Sequence, residues 1–289
     1  DGNISIGRQT GGQAGTAADN DAANNTSIGN YAGSSLTDGD NNVFMGNSAG
    51  GKTTTGLANV MLGNYAGQCH VSGSENTYIS HCAGRCMCNG SNNIAIGHQA
   101  LQGGSTVSGN TGSNNIAIGK AAGCILTSAG HNIFLGNYTG DATTTGNGNI
   151  AIGSFVDLTS ATGSCQLAIG YNTNHWIKGD SSFNVTVNTI CASNFNSTSD
   201  IRLKTNIQPI GNPIGKVKQI EGVSFNWKKD NKPALGVIAD QVQEILPELV
   251  HGDDPKTVNY NGLIGLLIET VKEQQNQIDE LNERISKLE

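Results

Sequence analysis

Ser199 and Lys204 stand five residues apart in "STSDIRLKTNI", residues 197–207, where the chain changes character. A serine hydroxyl is a weak nucleophile until a base takes its proton. A lysine amine can be that base only when burial or neighbouring cations keep it neutral. Such pairs also arise by chance, so this one needs context before it means chemistry. The other candidates are the cysteines Cys69, Cys82, Cys86, Cys88, Cys124, Cys165 and Cys191. "CAGRCMC" (82–88) could hold zinc, but its spacing is not a matched pair of CxxC knuckles. Small buried or surface thiols are the better reading, and an odd count fits a closed disulfide framework poorly. The nine acidic residues before Ser199 scatter through loops such as "TAADNDAANN" and "TDGDNN". They show neither the paired carboxylates of a glycan-degrading enzyme nor a calcium-loop pattern, and solvated turns account for them. No cofactor and no metal is expected.

What must position Ser199 and Lys204 is a seam between two kinds of sequence. Of the 40 glycines in 289 residues, 33 precede Ser199, and that part holds only 5 of the 16 Lys/Arg. Glycine there is a structural device. The break reads as a domain boundary, with a repeat shaft over 1–174, a connector over 175–198 and a separate domain over 199–289. A net charge of −7 without a basic cluster argues against nucleic acid. No apolar run reaches the roughly 18 residues that span a bilayer, and no signal peptide is visible. Because Asp1 falls inside a repeat, the chain is expected to be a fragment.

The shaft is one motif ten times over, from "NISIG" through "NIAIGHQAL" to "QLAIGYNTN". Its anchors are Gly7, Gly29, Gly46, Gly63, Ser80, Gly97, Gly119, Gly136, Gly153 and Gly170, spaced by 17 residues except for two steps of 22. A fixed period means stacked copies of one unit, with loop insertions at the longer steps. Seventeen residues are too few for a strand and a crossover helix but enough for one coil of a β-solenoid. Apolar residues three and one before each anchor, such as Ile94 and Ile96, predict a strand with one buried face. Asn3, Asn25, Asn42, Asn59, Asn76, Asn93, Asn115, Asn132 and Asn149 occupy the position four before the anchor, with Gln166 in the tenth unit. Stacked amides there can bond along the stack, whereas active sites do not recur every turn. Cys69 and Cys86 share a phase and are expected to stack. The motif resembles the head repeats of trimeric autotransporter adhesins and runs in viral and phage fibres. The longer period leaves coil shape and handedness open. Two or three apolar residues per coil are a thin core for one chain, and association side by side would repair it.

After Ser199, "GVSFNWK" alternates Val223, Phe225 and Trp227 as a half-buried strand, and "GVIADQVQEILPELV" has helical spacing ended by Pro247. Over 262–289, Ile264, Val271, Ile278 and Ile285 alternate with Leu267, Gln274, Leu281 and Leu288 in heptads, which predicts a coiled coil. Heptads establish association but do not alone count the strands.

The motifs "SDIRLKTNI", "GVSFNWK", "GVIADQVQEILPE" and "VNYNGLIGLLIETVKEQQ" resemble the C-terminal intramolecular chaperone of phage endosialidase tailspikes and other phage fibres. The resemblance implies a small α/β domain that assembles three chains and then cuts itself off. It makes Ser199 the nucleophile, Lys204 its base and Thr198–Ser199 the bond cut. Asp200 and Arg202 take structural roles. The expected whole is an all-β repeat solenoid, trimeric, followed by the chaperone and its coiled coil. Its expected use is as a viral or phage fibre or spike, assembled in the host cytoplasm and carried on the virion surface. The expected partners are the chain itself as a homotrimer and an unknown host receptor or surface glycan, without nucleic acid or membrane insertion. The alternative is a cellular adhesin or filament that keeps the domain as an uncut trimerisation cap.

Overall fold

A computed structural model describes residues 2–12, 21–104, 110–187, 190, 197–252 and 255–288. The chain divides into two compact units, Asp1–Ser193 and Asn194–Glu289. In the first, ten short strands stand in sequence order in one sheet: β1 Ile4–Ile6, β2 Thr26–Ile28, β3 Val43–Met45, β4 Val60–Leu62, β5 Thr77–Ile79, β6 Ile94–Ile96, β7 Ile116–Ile118, β8 Ile133–Leu135, β9 Ile150–Ile152 and β10 Leu167–Tyr171. Each pairs in parallel with the next, and matching repeat positions face one another, as in Ile94↔Ile116. The unit is a β-solenoid, one coil per repeat. At about 4.8 Å per coil the stack is on the order of 45 Å long.

The buried amides hold the coils in register. In coil after coil, the Asn side-chain oxygen accepts from both the backbone N–H and the side-chain NH2 of the Asn above. For Asn42 and Asn59 the distances are 2.9 and 3.0 Å. The Asn59 amide also donates to the Gly73 carbonyl at 3.0 Å. Asn42, Asn59, Asn76, Asn93, Asn115, Asn132 and Asn149 are fully buried. Each amide therefore satisfies backbone groups that a narrow coil hides from water.

The apolar alternation turns out to face the other way. The interior receives the residue between the two repeated apolar positions: Ser27, Phe44, Met61, Tyr78, Ala95, Ala117, Phe134 and Ala151, all fully buried. The flanking Ile, Val, Leu and Met residues point outward and stay half-buried or exposed. The physical reason is width. A 17-residue coil has room inside for one side chain per strand, and large rings need glycine opposite them. A Cβ on Gly50 would lie 2.5 Å from the Phe44 ring. The anchors are equally confined: Gly63 has φ +136°, and a Cβ there would lie 2.5 Å from the Ser80 carbonyl oxygen.

The segment read as a connector begins with more sheet. β11, Asn174–Gly179, pairs antiparallel with β10, and β12, Val185–Val187, pairs antiparallel with β11. Reversing direction covers the last coil's open edge, which would otherwise expose unpaired backbone groups.

The second unit contains α1 Pro213–Val217, β13 Val223–Asn226, β14 Pro233–Gly236, α2 Ala239–Ile245, β15 Val250–His251, β16 Thr257–Val258 and α3 Tyr260–Ser286. β13 pairs with β14 and β15 with β16, both antiparallel. Its small core joins Val242, Leu246 and Leu266, with Val217, Ile220, Val237 and Leu263 around them. Val223 and Phe225 are half-buried as expected. Trp227 is exposed and meets the Phe225 ring edge-on at 5.2 Å.

Two outcomes test this account. Asn59→Ala should lower unfolding free energy by about 1–3 kcal/mol, because it strands buried partners above and below. Asn30→Ala, at an exposed amide, should stay within about 0.5 kcal/mol. Equal denaturation midpoints for the two variants would contradict a structural ladder. Burial also holds the His70 imidazole down to about 4 from 6.5, with its Nε2 3.1 Å from Asn76 Nδ2. The unfolded chain therefore binds the proton more readily. Stability from this site is complete above pH 6.5 and falls as pH drops from there toward 4. His70→Leu should flatten the loss over that window, which parallel thermal melts of both proteins would reveal.

Candidate self-cleavage site

Just after Ser199, residues 200–204 form a tight turn with its own lock. Asp200 caps the 3-10 turn Ile201–Leu203: its carboxylate accepts the Arg202 backbone N–H at 2.9 Å. The same carboxylate receives the Arg202 guanidinium as a fork, with Nε 3.1 Å from each oxygen and Nη2 2.6 Å from one. Arg202 thereby keeps the Asp200 carboxyl below the usual carboxylate range. The ion pair is exposed, so it adds little to global stability, but its two-pronged geometry limits how the turn can open. The Leu203 and Lys204 backbone N–H groups return to Asp200 and Ile201 at 3.1 Å each.

The turn folds the chain back so that Lys204 Nζ lies 2.7 Å from Ser199 Oγ, donating to it. That is proton-transfer distance. With the amine neutral, the same contact runs in reverse and the hydroxyl donates. Both side chains are exposed in the single chain, so the desolvation that would favour a neutral lysine is not supplied by the chain's own fold. The two sequence candidates are thus brought together. Asp200 and Arg202 sit beside them as framework.

Thr198, on the other side of the candidate bond, is exposed. Before it, Ser197 Oγ accepts a hydrogen bond from Asn261 Nδ2 at 2.7 Å, across 64 residues of sequence. Asn261 is the second residue of α3, and the Asn259 side chain caps that helix by accepting from the Asn261 and Gly262 backbone N–H groups. Nothing in the sequence singles Asn261 out. The only available signal is an Asn-rich helix start, "VNYNG".

The predicted seam of α3 is laid bare. Leu263 and Leu266 face the unit's own core, while Ile264, Leu267, Val271, Ile278, Leu281 and Ile285 are at least half exposed. The remaining candidates form no metal-holding group among the described residues. Cys69, Cys82, Cys86, Cys88, Cys124 and Cys165 are free thiols, and Cys191 lies outside the described residues. The Cys69 and Cys86 thiols do meet, as their shared phase predicts. Two acidic side chains that look scattered in sequence also meet: burial and the facing Asp157 push Asp141 up to about 6. Among the described residues no group of three His, Cys, Asp or Glu side chains is arranged to hold a metal ion. No helix among them is long and apolar enough to cross a membrane.

Comparison with known proteins agrees with the motifs. Residues 199–251 match the family model described as chaperone of endosialidase, so the match opens on Ser199 and stops short of α3. The chain is also similar to long tail fiber protein Gp37 of Enterobacteria phage K3, 33% identical over 107 residues, which are 33% of this chain and 9% of that one. In the Escherichia phage AR1 protein of the same name the identity is 37% over 87 residues, 26% of this chain and 8% of the relative. In that of Salmonella phage S16 it is 29% over 112 residues, 34% and 15%. The chain therefore spans a small fraction of these relatives' length. No solved structure matches it.

Proposed function

We propose that this chain is part of a phage tail fibre in which the solenoid is shaft and residues 199–289 are an assembly chaperone that cuts itself free between Thr198 and Ser199. The observation that supports the cutting is the 2.7 Å contact of Lys204 Nζ with Ser199 Oγ, inside a locked turn. Neutral Lys204 takes the hydroxyl proton as Ser199 Oγ attacks the Thr198 carbonyl carbon. The C–N bond breaks as the Lys204 ammonium passes that proton to the nitrogen, which leaves as the free amine of Ser199, and Thr198 becomes an ester on Oγ. Water then opens the ester, leaving a carboxylate on Thr198 and restoring the hydroxyl. The step occurs once per chain and uses no cofactor.

Two apolar surfaces, each within its own unit, support assembly with further copies, and the resemblance sets the expected number at three. One is the pair of outward columns on β1–β10, and the other is the bare seam of α3. Burying both against two further copies supplies the core that one narrow coil lacks. Packing three C-terminal units together would also desolvate Lys204, so cutting waits for assembly. On the virion the fibre would meet a host receptor or surface glycan.

Mass measurement of the freshly expressed chain under denaturing conditions tests the cut. Two fragments split at Thr198–Ser199 are expected, with Ser199→Ala and Lys204→Ala left intact or slowed by about 100-fold or more. A single intact mass in all three would favour the retained-cap alternative. Light scattering should give three chains per particle. Val271→Asp with Leu281→Asp should reduce that number and slow the cut, and fast cutting by a monomer would break the proposed link.

A further inference from the structure

We infer that Asn261 is a positioning residue that couples the association helix α3 to the bond between Thr198 and Ser199. The inference rests on the reading of Ser199 and Lys204 as a self-cleaving pair, and deepens it. An attack by Ser199 on the carbonyl just before it needs that carbonyl carbon held close to Oγ, at an angle a freely rotating peptide seldom adopts. The locked turn after Ser199 fixes one side only. The other side is fixed by Asn261, whose amide donates to Ser197 Oγ at 2.7 Å. Thr198 is then the single residue strung between two fixed points, and its carbonyl has little freedom left.

The position of Asn261 is what gives the contact its meaning. Its backbone N–H is bound by the Asn259 cap at 3.1 Å, so its direction is set by the first turn of α3. First turns fray when a helix lacks packing along its length. The inner face of α3 is held by Leu263 and Leu266, but its outward face, with Ile264, Leu267, Val271 and Ile278, is at least half exposed. When other copies cover that face the first turn firms, Asn261 holds Ser197 more of the time, and the carbonyl spends more time in line. A contact 64 residues away in sequence thus reports the state of the helix to the bond that is to be cut.

The test follows cutting of the full chain by denaturing mass measurement over time, with particle mass recorded for each variant. Asn261→Ala should remain trimeric and cut about three- to tenfold more slowly, the effect of losing one neutral hydrogen bond. Ser197→Ala should slow cutting equally. The double variant should be no slower than either single one, a non-additivity that general loosening of the helix would not produce. Asn261→Asp, whose carboxylate can accept from the Ser197 hydroxyl, should recover most of the rate. A trimeric Asn261→Ala cut at the parent rate, or additive losses in the double variant, would overturn this inference and leave the Ser199–Lys204 pair standing. A parent chain that stays intact would sink the self-cleavage reading, and this inference with it.

Discussion

A 17-residue coil cannot hide its own backbone from water and also satisfy it, and the stacked asparagine amides resolve that conflict. Ladder asparagines such as Asn42 close a turn within their own coil and accept from the coil above, so such a coil is not complete without its neighbours. Register follows at once. With the amides stacked, the anchor glycines fall over one another, and their left-handed backbone keeps the coils close enough for parallel strands to pair. The ladder also spans the two 22-residue steps: the Asn25 N–H bonds Asn3 and the Asn115 N–H bonds Asn93 just as neighbours 17 residues apart do.

The same narrowness decides which residues face which way. Each strand sends one side chain inward, with rings such as Phe44, Tyr78 and Phe134 set against glycine, and Met87, Leu101, Leu126 and Val156 from between the strands complete the core. The better hydrophobes are left outside in two columns. In the second unit α3 repeats the pattern, giving its own core Leu263 and Leu266 and turning the heptad seam outward. In the second unit this leaves an apolar stripe on α3 at least half exposed, the surface on which the proposed association rests.

The turn proposed to cut itself is arranged on two length scales. Asp200, Arg202, Ser199 and Lys204 lie within six residues and position one another by local bonds alone. Such a turn could form early, before anything has assembled. Holding the Thr198 carbonyl needs the distant contact of Ser197 with Asn261, and that contact is only as firm as the first turn of α3. In the proposed reaction both the base, which needs desolvation, and the target bond, which needs positioning, wait on assembly, and that is a physical way to delay an irreversible cut.

Sequence alone determined the features whose cause is local or strictly periodic. The coil count, the strand positions and the asparagine ladder were legible because the spacing of 17 residues carries them directly, whereas the pairing of Ser199 with Lys204 was suggested by the surrounding motif and not by their spacing. It misread the buried face of the strands, since alternation says that Ile94 and Ile96 share a side but not that Ala95 is the one that fits inside. Nor did it foresee that residues 174–187 would turn back as two antiparallel strands, or that Asn261 would reach Ser197. Those were decided only by tertiary structure: coil width, an open sheet edge and the approach of segments distant in sequence are properties of the folded chain, and no local pattern encodes them.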